Sequence, residues 1–172
     1  MKIMLISDNH GRWNQTYNII KNERTNVDYI FHLGDSEFQK DDPVWKLVDA
    51  VVEGNMDEAF LYPQEQVIDT EKGKVLLVHG HLVNVNRSHD DLLKLAKAKD
   101  AQFAFYGHTH RLFSELKDGV LLVNPGSLNN PRGLHQGTTY AIITVESHSY
   151  EVNFYDDEMN LLEDLTQTYF VD

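Results

Sequence analysis

Seven side chains of this chain share a position rule: each falls just after a short apolar run. Asp8 and His10 follow Ile3-Met4-Leu5-Ile6, Asp35 follows the run ending at Leu33, and Asn55 follows Val51-Val52-Glu53. His79 closes Val75 to Val78, and His108 and His110 follow Phe103-Ala104-Phe105-Tyr106. If the runs are strands of an α/β sheet, these residues lie beyond the strands' carboxyl ends, where such sheets bind ligands. Two aspartates, one asparagine and four histidines brought together there are metal ligands by type. Asp8 and His10 are two apart, as are His108 and His110, a spacing that puts both side chains on one side of an extended backbone. Gly34, Gly54 and Gly107 stand directly before Asp35, Asn55 and His108 and permit tight turns and close approach.

The chain has no cysteine, so any metal is held by nitrogen and oxygen. Seven ligands are too many for one tetrahedral zinc site. They suit two ions that share a carboxylate and keep open positions for water and substrate. Asp35 is the natural bridge, because a carboxylate offers two oxygens and an imidazole cannot readily bridge through one nitrogen. Such a ligand set accepts Mn²⁺, Fe²⁺, Co²⁺, Ni²⁺ or Zn²⁺, with Mn²⁺ favoured. Two ions about 3.5–4 Å apart can activate a bridging hydroxide and stabilise both ends of an in-line displacement at phosphorus. Hydrolysis of a phosphate ester then needs no Ser, Cys or Lys nucleophile. Taken singly, each residue also has a structural reading, Asp35 as a cap and Asn55 as a turn residue among them. The metal reading rests on the set.

The elements that must position these residues alternate at first. Lys2 to Ile6 reads as a buried strand, Trp13 to Arg24 as a helix, Val27 to Leu33 as a second strand and Pro43 to Asp49 as a short helix. That rhythm predicts an α/β fold with a largely parallel first sheet. Hairpins follow at Gln64–Thr70 with Lys74–His79, across Asp118-Gly119, and at Thr139–Val145 with Glu151–Tyr155. Ser88 is the expected N-cap of a helix Asp90 to Lys99. Met159, Leu161, Leu162 and Leu165 predict a short helix packed back onto the domain, and Tyr169-Phe170-Val171 either finish that contact or cover another subunit of a homo-oligomer. No repeat or linker divides residues 1–172, so a single domain is expected: a two-sheet α/β sandwich with outer helices.

Composition bounds the partners. The chain has 172 residues and a net charge of −12, and no Lys/Arg cluster interrupts it. Tyr155 to Asp172 alone carries six acidic side chains and no cation. Such a chain repels a long phosphate backbone, so no long nucleic acid is expected, and bound cations are needed for an anionic ester. No apolar run is long enough for a bilayer, and Asp8 interrupts the first one too early for a signal peptide, so a cytoplasmic protein is expected.

Beside this reading, the motifs resemble those of the calcineurin-like metallophosphoesterases, in particular the small bacterial and archaeal phosphodiesterases. They are Ser7-Asp8-Asn9-His10-Gly11, Leu33-Gly34-Asp35-Ser36, Gly54-Asn55-Met56-Asp57, His79-Gly80-His81, Gly107-His108-Thr109-His110 and Asn124-Pro125-Gly126-Ser127. The resemblance implies a four-layer αββα sandwich and hydrolysis of phosphodiesters or phosphomonoesters, with a small-molecule diester preferred. It implies that Asp8, His10, Asp35 and His110 hold one ion and that Asp35, Asn55, His79 and His108 hold the other; Mg²⁺ is a further possible metal. It departs at Met56: many members have histidine there and the small-phosphodiesterase branch commonly cysteine. A thioether cannot donate a proton to a leaving group. His81 is the substitute candidate as catalytic donor and Asp57 a weaker one. Asn55 and Arg132, the latter in Pro131-Arg132, are candidates for binding the substrate phosphate. His32, Trp13 and Trp45 read as packing residues. A non-catalytic scaffold of the same fold is the rival reading.

Overall fold

The computed structural model describes all 172 residues. The apolar run Lys2–Ile6 is strand β1, α1 spans Trp13–Glu23, and β2 is Tyr29–His32. A short 3₁₀ segment at Pro43–Leu47 leads into the two-residue β3, Ala50–Val51. Strands β4 (Glu65–Thr70) and β5 (Gly73–Val78) form a hairpin, followed by α2 (Asp90–Ala98) and β6 (Phe103–Phe105). Two further hairpins are β7 (Phe113–Lys117) with β8 (Val120–Asn124), and β9 (Thr139–Val145) with β10 (Ser149–Asp156). β11, Gln167–Phe170, ends the chain's regular structure.

The strands form two sheets, ordered β11-β10-β9-β1-β2-β3 and β4-β5-β6-β8-β7. β1, β2 and β3 are mutually parallel, as are β5, β6 and β8; the others pair antiparallel. The first sheet is therefore mixed rather than largely parallel, because the late hairpin β9–β10 adds to the free edge of β1.

Burial explains why β1, β5 and β6 read as unbroken apolar runs. Ile3, Leu5, Val75, Leu77, Phe103 and Phe105 pack between the sheets. The intervening Met4 and Ile6 pack toward Ile19 and Ile20 of α1, and Leu76 and Val78 toward Leu92 and Ala96 of α2. Covered on both faces, these strands have no polar positions to alternate. Helix, sheet, sheet and helix make four layers. No helix is long and apolar enough to cross a membrane.

The C-terminal segment corrects an expectation. Instead of a helix, Tyr155 bridges Leu161, a 3₁₀ turn covers Glu163–Leu165, and β11 pairs with β10 in register Tyr150 with Tyr169. Leu162, Leu165 and Tyr169 do pack on the intersheet core, while Phe170 is exposed. The apolar spacing was compatible with either period, and the open edge of β10 decided between them. The N-cap of α2 is likewise one residue later than expected, at His89, with the Asp90 N–H 3.3 Å from Ser88 Oγ.

His32 ends β2 fully buried and couples two site loops. Its Nδ1 accepts from the Gly34 N–H at 3.1 Å, so Nε2 carries the proton and donates to Asn9 Oδ1 at 2.6 Å. Asn9 in turn donates to the carbonyls of Gly11 and Ser36. Burial pushes the His32 pKa from 6.5 down to about 4. Between those values the unfolded chain binds a proton that the folded one refuses. This contribution to stability is therefore complete above pH 6.5 and is lost as pH falls toward 4. His32→Gln is expected to cost about 1–3 kcal/mol at pH 7 and to flatten the acid-side fall of the melting temperature. An equally steep fall in the variant would show that His32 does not carry it.

Candidate metal centre

The loops after β1, β2, β3, β5 and β6 meet at one end of the sandwich. Five of the seven candidate ligands there have left-handed backbone: Asp8, His10, Asp35, His108 and His110, with φ between 41° and 70°. That conformation costs a residue with a Cβ about 1–2 kcal/mol. It persists because the loops are hydrogen-bonded to each other: Asp8 N–H to Gly34 O, His10 N–H to Asp35 O, and Gly107 N–H to His79 O. The extended geometry expected for Asp8 and His10 is thus absent, since β1 stops at Ile6. The two side chains converge all the same, with Asp8 Oδ1 3.8 Å from His10 Nε2.

The hydrogen bonds of the imidazoles fix which nitrogen faces inward. His79 Nδ1 lies 2.7 Å from Leu33 O, and His110 Nδ1 lies 2.7 Å from Asn130 O. A carbonyl only accepts, so both Nδ1 atoms carry protons and both Nε2 atoms keep lone pairs in the neutral rings. His10 Nδ1 lies 3.3 Å from a Glu37 carboxylate oxygen. His10 Nε2 and His110 Nε2 then face each other at 3.2 Å. His110 Nε2 is 3.2 Å from Asp8 Oδ1, and His79 Nε2 is 3.2 Å from Asp35 Oδ2.

Asp8 Oδ1 is buried without a hydrogen-bond partner, while Oδ2 accepts from Ser7 Oγ and the His108 N–H. A buried, unpartnered carboxylate oxygen facing three imidazole nitrogens favours a positive charge at that spot. Two overlapping groups result: Asp8, His10 and His110, and Asp8, Asp35 and His79, each with ligand atoms within 4.8 Å of one another. The donors fit two divalent ions. Asp35 Oδ2 also lies 3.8 Å from His10 Nε2, so it faces histidines of both groups. Asn55 Oδ1 stands 3.1 Å from both His79 Nε2 and His108 Nδ1.

Electrostatics support the same charge pattern. Burial pushes the Asp8 carboxyl up, yet the neighbouring His110 and His79 imidazoles bring it below the usual carboxylate range. Asp35 falls to about 2: burial opposes this, but His79 and the Met56 N–H outweigh it. His79 and His110 are raised despite burial, by Asp35 and Asp8 respectively. His108 is lowered, first by burial and then by His79.

The other sequence candidates fall into place differently. Arg132 and Met56 line the same cavity of about 590 Å³ as His10, Asp35, Asn55, His108 and His110. His81 does not; it lines a separate, smaller cavity, its ring centroid 5.4 Å from that of His79, and its Nδ1 is buried without a partner. Asp57 is a strut and not a free acid. Its Oδ2 accepts from the Asp35 and Gly54 N–H groups and its Oδ1 from the Glu37 N–H, which locks the loops after β2 and β3 together. Asn124 Nδ2 donates to Gly107 O and Thr109 Oγ1, and Ser127 Oγ donates to Asp8 O, so the last motif braces the ligand loops. Sequence reasoning missed Glu37, Asn86 and Asn130, and named Ser7 in a motif without giving it a role. Asn86, 2.9 Å from His108 Nε2, belongs to a loop with no pattern to betray it. Asn130 lies three residues after Ser127, the end of a motif already singled out, and that was its signal.

Comparison with known proteins agrees. Residues 1–148 match the model of the calcineurin-like phosphoesterase superfamily domain. The chain is 35% identical over 165 residues to the probable metallophosphoesterase YsnB of Bacillus subtilis (strain 168), covering 96% of both chains. It is 31% identical to a conserved uncharacterized protein, a predicted phosphoesterase, from Streptococcus pneumoniae TIGR4, with a TM-score of 0.94 over 98% of this chain and 97% of that one. With Yfce, a phosphoesterase from E. coli, it shares the fold at 21% identity and a TM-score of 0.69, covering 100% of both. A domain match over most of the length, joined to two candidate metal-holding groups, places this chain in the calcineurin-like phosphoesterase superfamily.

Proposed function

We propose that this chain is a dinuclear metal-dependent phosphodiesterase acting on small phosphodiesters, akin to the small bacterial and archaeal branch of its superfamily. The observation that carries the reading is the convergence of the His10, His79 and His110 Nε2 atoms on the unpartnered Asp8 Oδ1 and on Asp35 Oδ2. Asp8, His10, Asp35 and His110 would hold one ion, and Asp35, Asn55, His79 and His108 the other, with Mn²⁺ favoured. Bound there, two divalent ions would supply Lewis acidity, lowering the pKa of water and offsetting charge on the phosphoryl oxygens.

The chain's own residues do the rest. Asp8 and Asp35 stay ionised and keep the centre anionic enough to retain cations. The carbonyls of Leu33 and Asn130 hold the His79 and His110 rings in one tautomer. Arg132 lines the cavity and offers a donor fork to a phosphate oxygen. A small diester, with one negative charge, suits a chain of net charge −12 better than a polyanion does.

Met56 sets the expected selectivity. It is the cavity's one apolar lining residue and cannot protonate a departing oxygen. General acid help is worth about 10²–10⁴-fold, so aryl esters with good leaving groups are expected to turn over well and alkyl esters slowly. The check is one panel on metal-free protein given Mn²⁺, Ni²⁺, Mg²⁺ or Zn²⁺ in turn. Substrates are a bis-aryl phosphate, an aryl monophosphate, an alkyl diester and cyclic nucleotides, with Asp35→Asn as control. Alkyl turnover as fast as aryl would refute the selectivity. Preference for the monophosphate would refute the diesterase assignment.

A further inference from the structure

The metal cavity offers an ester's organic group almost nothing to touch, because Met56 is its one apolar lining residue. A second cavity of about 560 Å³ opens beside it, within the size range of small-molecule sites. Arg132 lines both. The strip between them alternates: His108 and His110 line the metal cavity, while Thr109 and Arg111 line the second one. Asn86, which contacts His108 Nε2, also lies on the second cavity's wall. The two are therefore adjoining compartments of one site.

The walls of the second cavity are chemically distinct. Val85, Tyr106, Leu112, Phe113 and Leu134 supply apolar surface. His89 packs on Phe113 with ring centroids 4.4 Å apart and is fixed by Tyr106 Oη, 2.6 Å from its Nε2. The chain's paired cations are Arg24, Lys74, Lys97, Lys99 and Lys117, so Arg111 and Arg132 reach this cavity without a carboxylate partner. In a chain of net charge −12, what sets these two guanidinium groups apart is their place beside an apolar, aromatic-walled space. A guanidinium plane stacks on an electron-rich ring, and its edge takes a phosphate oxygen.

We propose that the second cavity is the subsite for the organic group of the ester, and that this group is a planar aromatic or heteroaromatic ring joined close to the scissile phosphate. Arg132 spans the two compartments: its edge serves the phosphate and its plane borders the ring. This rests on the metallophosphoesterase reading and adds the substrate class to it.

The test is calorimetry on the Mn²⁺-loaded protein with methylphosphonate and phenylphosphonate, which share a charge type and resist hydrolysis. Phenylphosphonate is expected to bind about tenfold tighter or better, from burial of the ring. Leu134 is fully exposed, so Leu134→Asp leaves the core untouched. It should bring the two affinities close together, read as their ratio, because the added charge acts on both anions alike while the lost apolar contact acts on the ring alone. Phe113→Ala, with its melting temperature recorded, provides a second wall change. Equal affinity for both phosphonates in the unmodified protein overturns the proposal, as does a preference that survives both substitutions. Turnover of a bis-aryl phosphate by the same preparations separates the outcomes. Turnover without ring preference removes the subsite alone; no turnover and no binding of either phosphonate removes the enzyme reading with it.

Discussion

Asp35→Asn is expected to lower kcat on a bis-aryl phosphate by at least about 10²–10³-fold, whichever metal is supplied. Even residues that only orient a metal's ligands cost about 10–100-fold when changed, and a shared ligand costs more. The change is nearly isosteric, so its effect is on charge. Asp35 Oδ1 accepts the Met56 N–H at 2.8 Å, a bond an asparagine oxygen can keep. Oδ2, facing His79 at 3.2 Å and His10 at 3.8 Å, would become an amide nitrogen with no free lone pair for a metal. The fold should survive, because Asp57 fixes this loop through the backbone N–H of Asp35. Circular dichroism would verify the fold and steady-state kinetics the rate. A variant that is folded and retains more than a tenth of the activity would remove Asp35 from its central place.

Gly107→Ala is expected to cost about 10–100-fold in activity and metal affinity, although the added methyl touches no substrate. A Cβ at Gly107 would run into Ser7 Oγ and come within 2.6 Å of Asp8 Oδ2. Those two atoms are hydrogen-bonded to each other, and Oδ2 also receives the His108 N–H. Relieving the clash must turn the Asp8 carboxylate and with it Oδ1, the oxygen aimed at His10 and His110. A matching change at an open glycine is the control: a Cβ at Gly11 meets nothing within 4 Å, though its φ of 82° still carries strain. Metal affinity measured by competition with a chelator should fall for Gly107→Ala well beyond Gly11→Ala. Equal losses would mean that displacement of Asp8 is not what lowers the affinity.

The site was legible in the sequence because its residues are pinned to strand ends. Asp35, His79 and His108 follow runs whose apolar character is enforced by burial on both faces, and that burial leaves a sharp boundary to read. The left-handed backbone of Asp8, His10 and Asp35 was not legible, since it arises from loop-to-loop hydrogen bonds between distant segments. The role of Asp57 was hidden for the same reason: a carboxylate next to a ligand reads as an acid until its partners are seen to be backbone N–H groups. The fate of residues 159–170 depended on an open strand edge at β10, a feature of the assembled sheet and not of the local pattern. The second cavity draws its walls from residue 85 to residue 165, too far apart for any local motif to announce.

The central claim is a pair of ions held by this chain, and a metal titration addresses it most directly. Metal-free protein would be titrated with Mn²⁺ while both bound metal and bis-aryl phosphate turnover are followed, with Asp35→Asn alongside. The account predicts that two equivalents bind, that turnover reaches its plateau only as the second is taken up, and that the variant binds fewer and stays inactive. A plateau at one equivalent, or no turnover above the variant with any of Mn²⁺, Ni²⁺, Mg²⁺ and Zn²⁺, would contradict it.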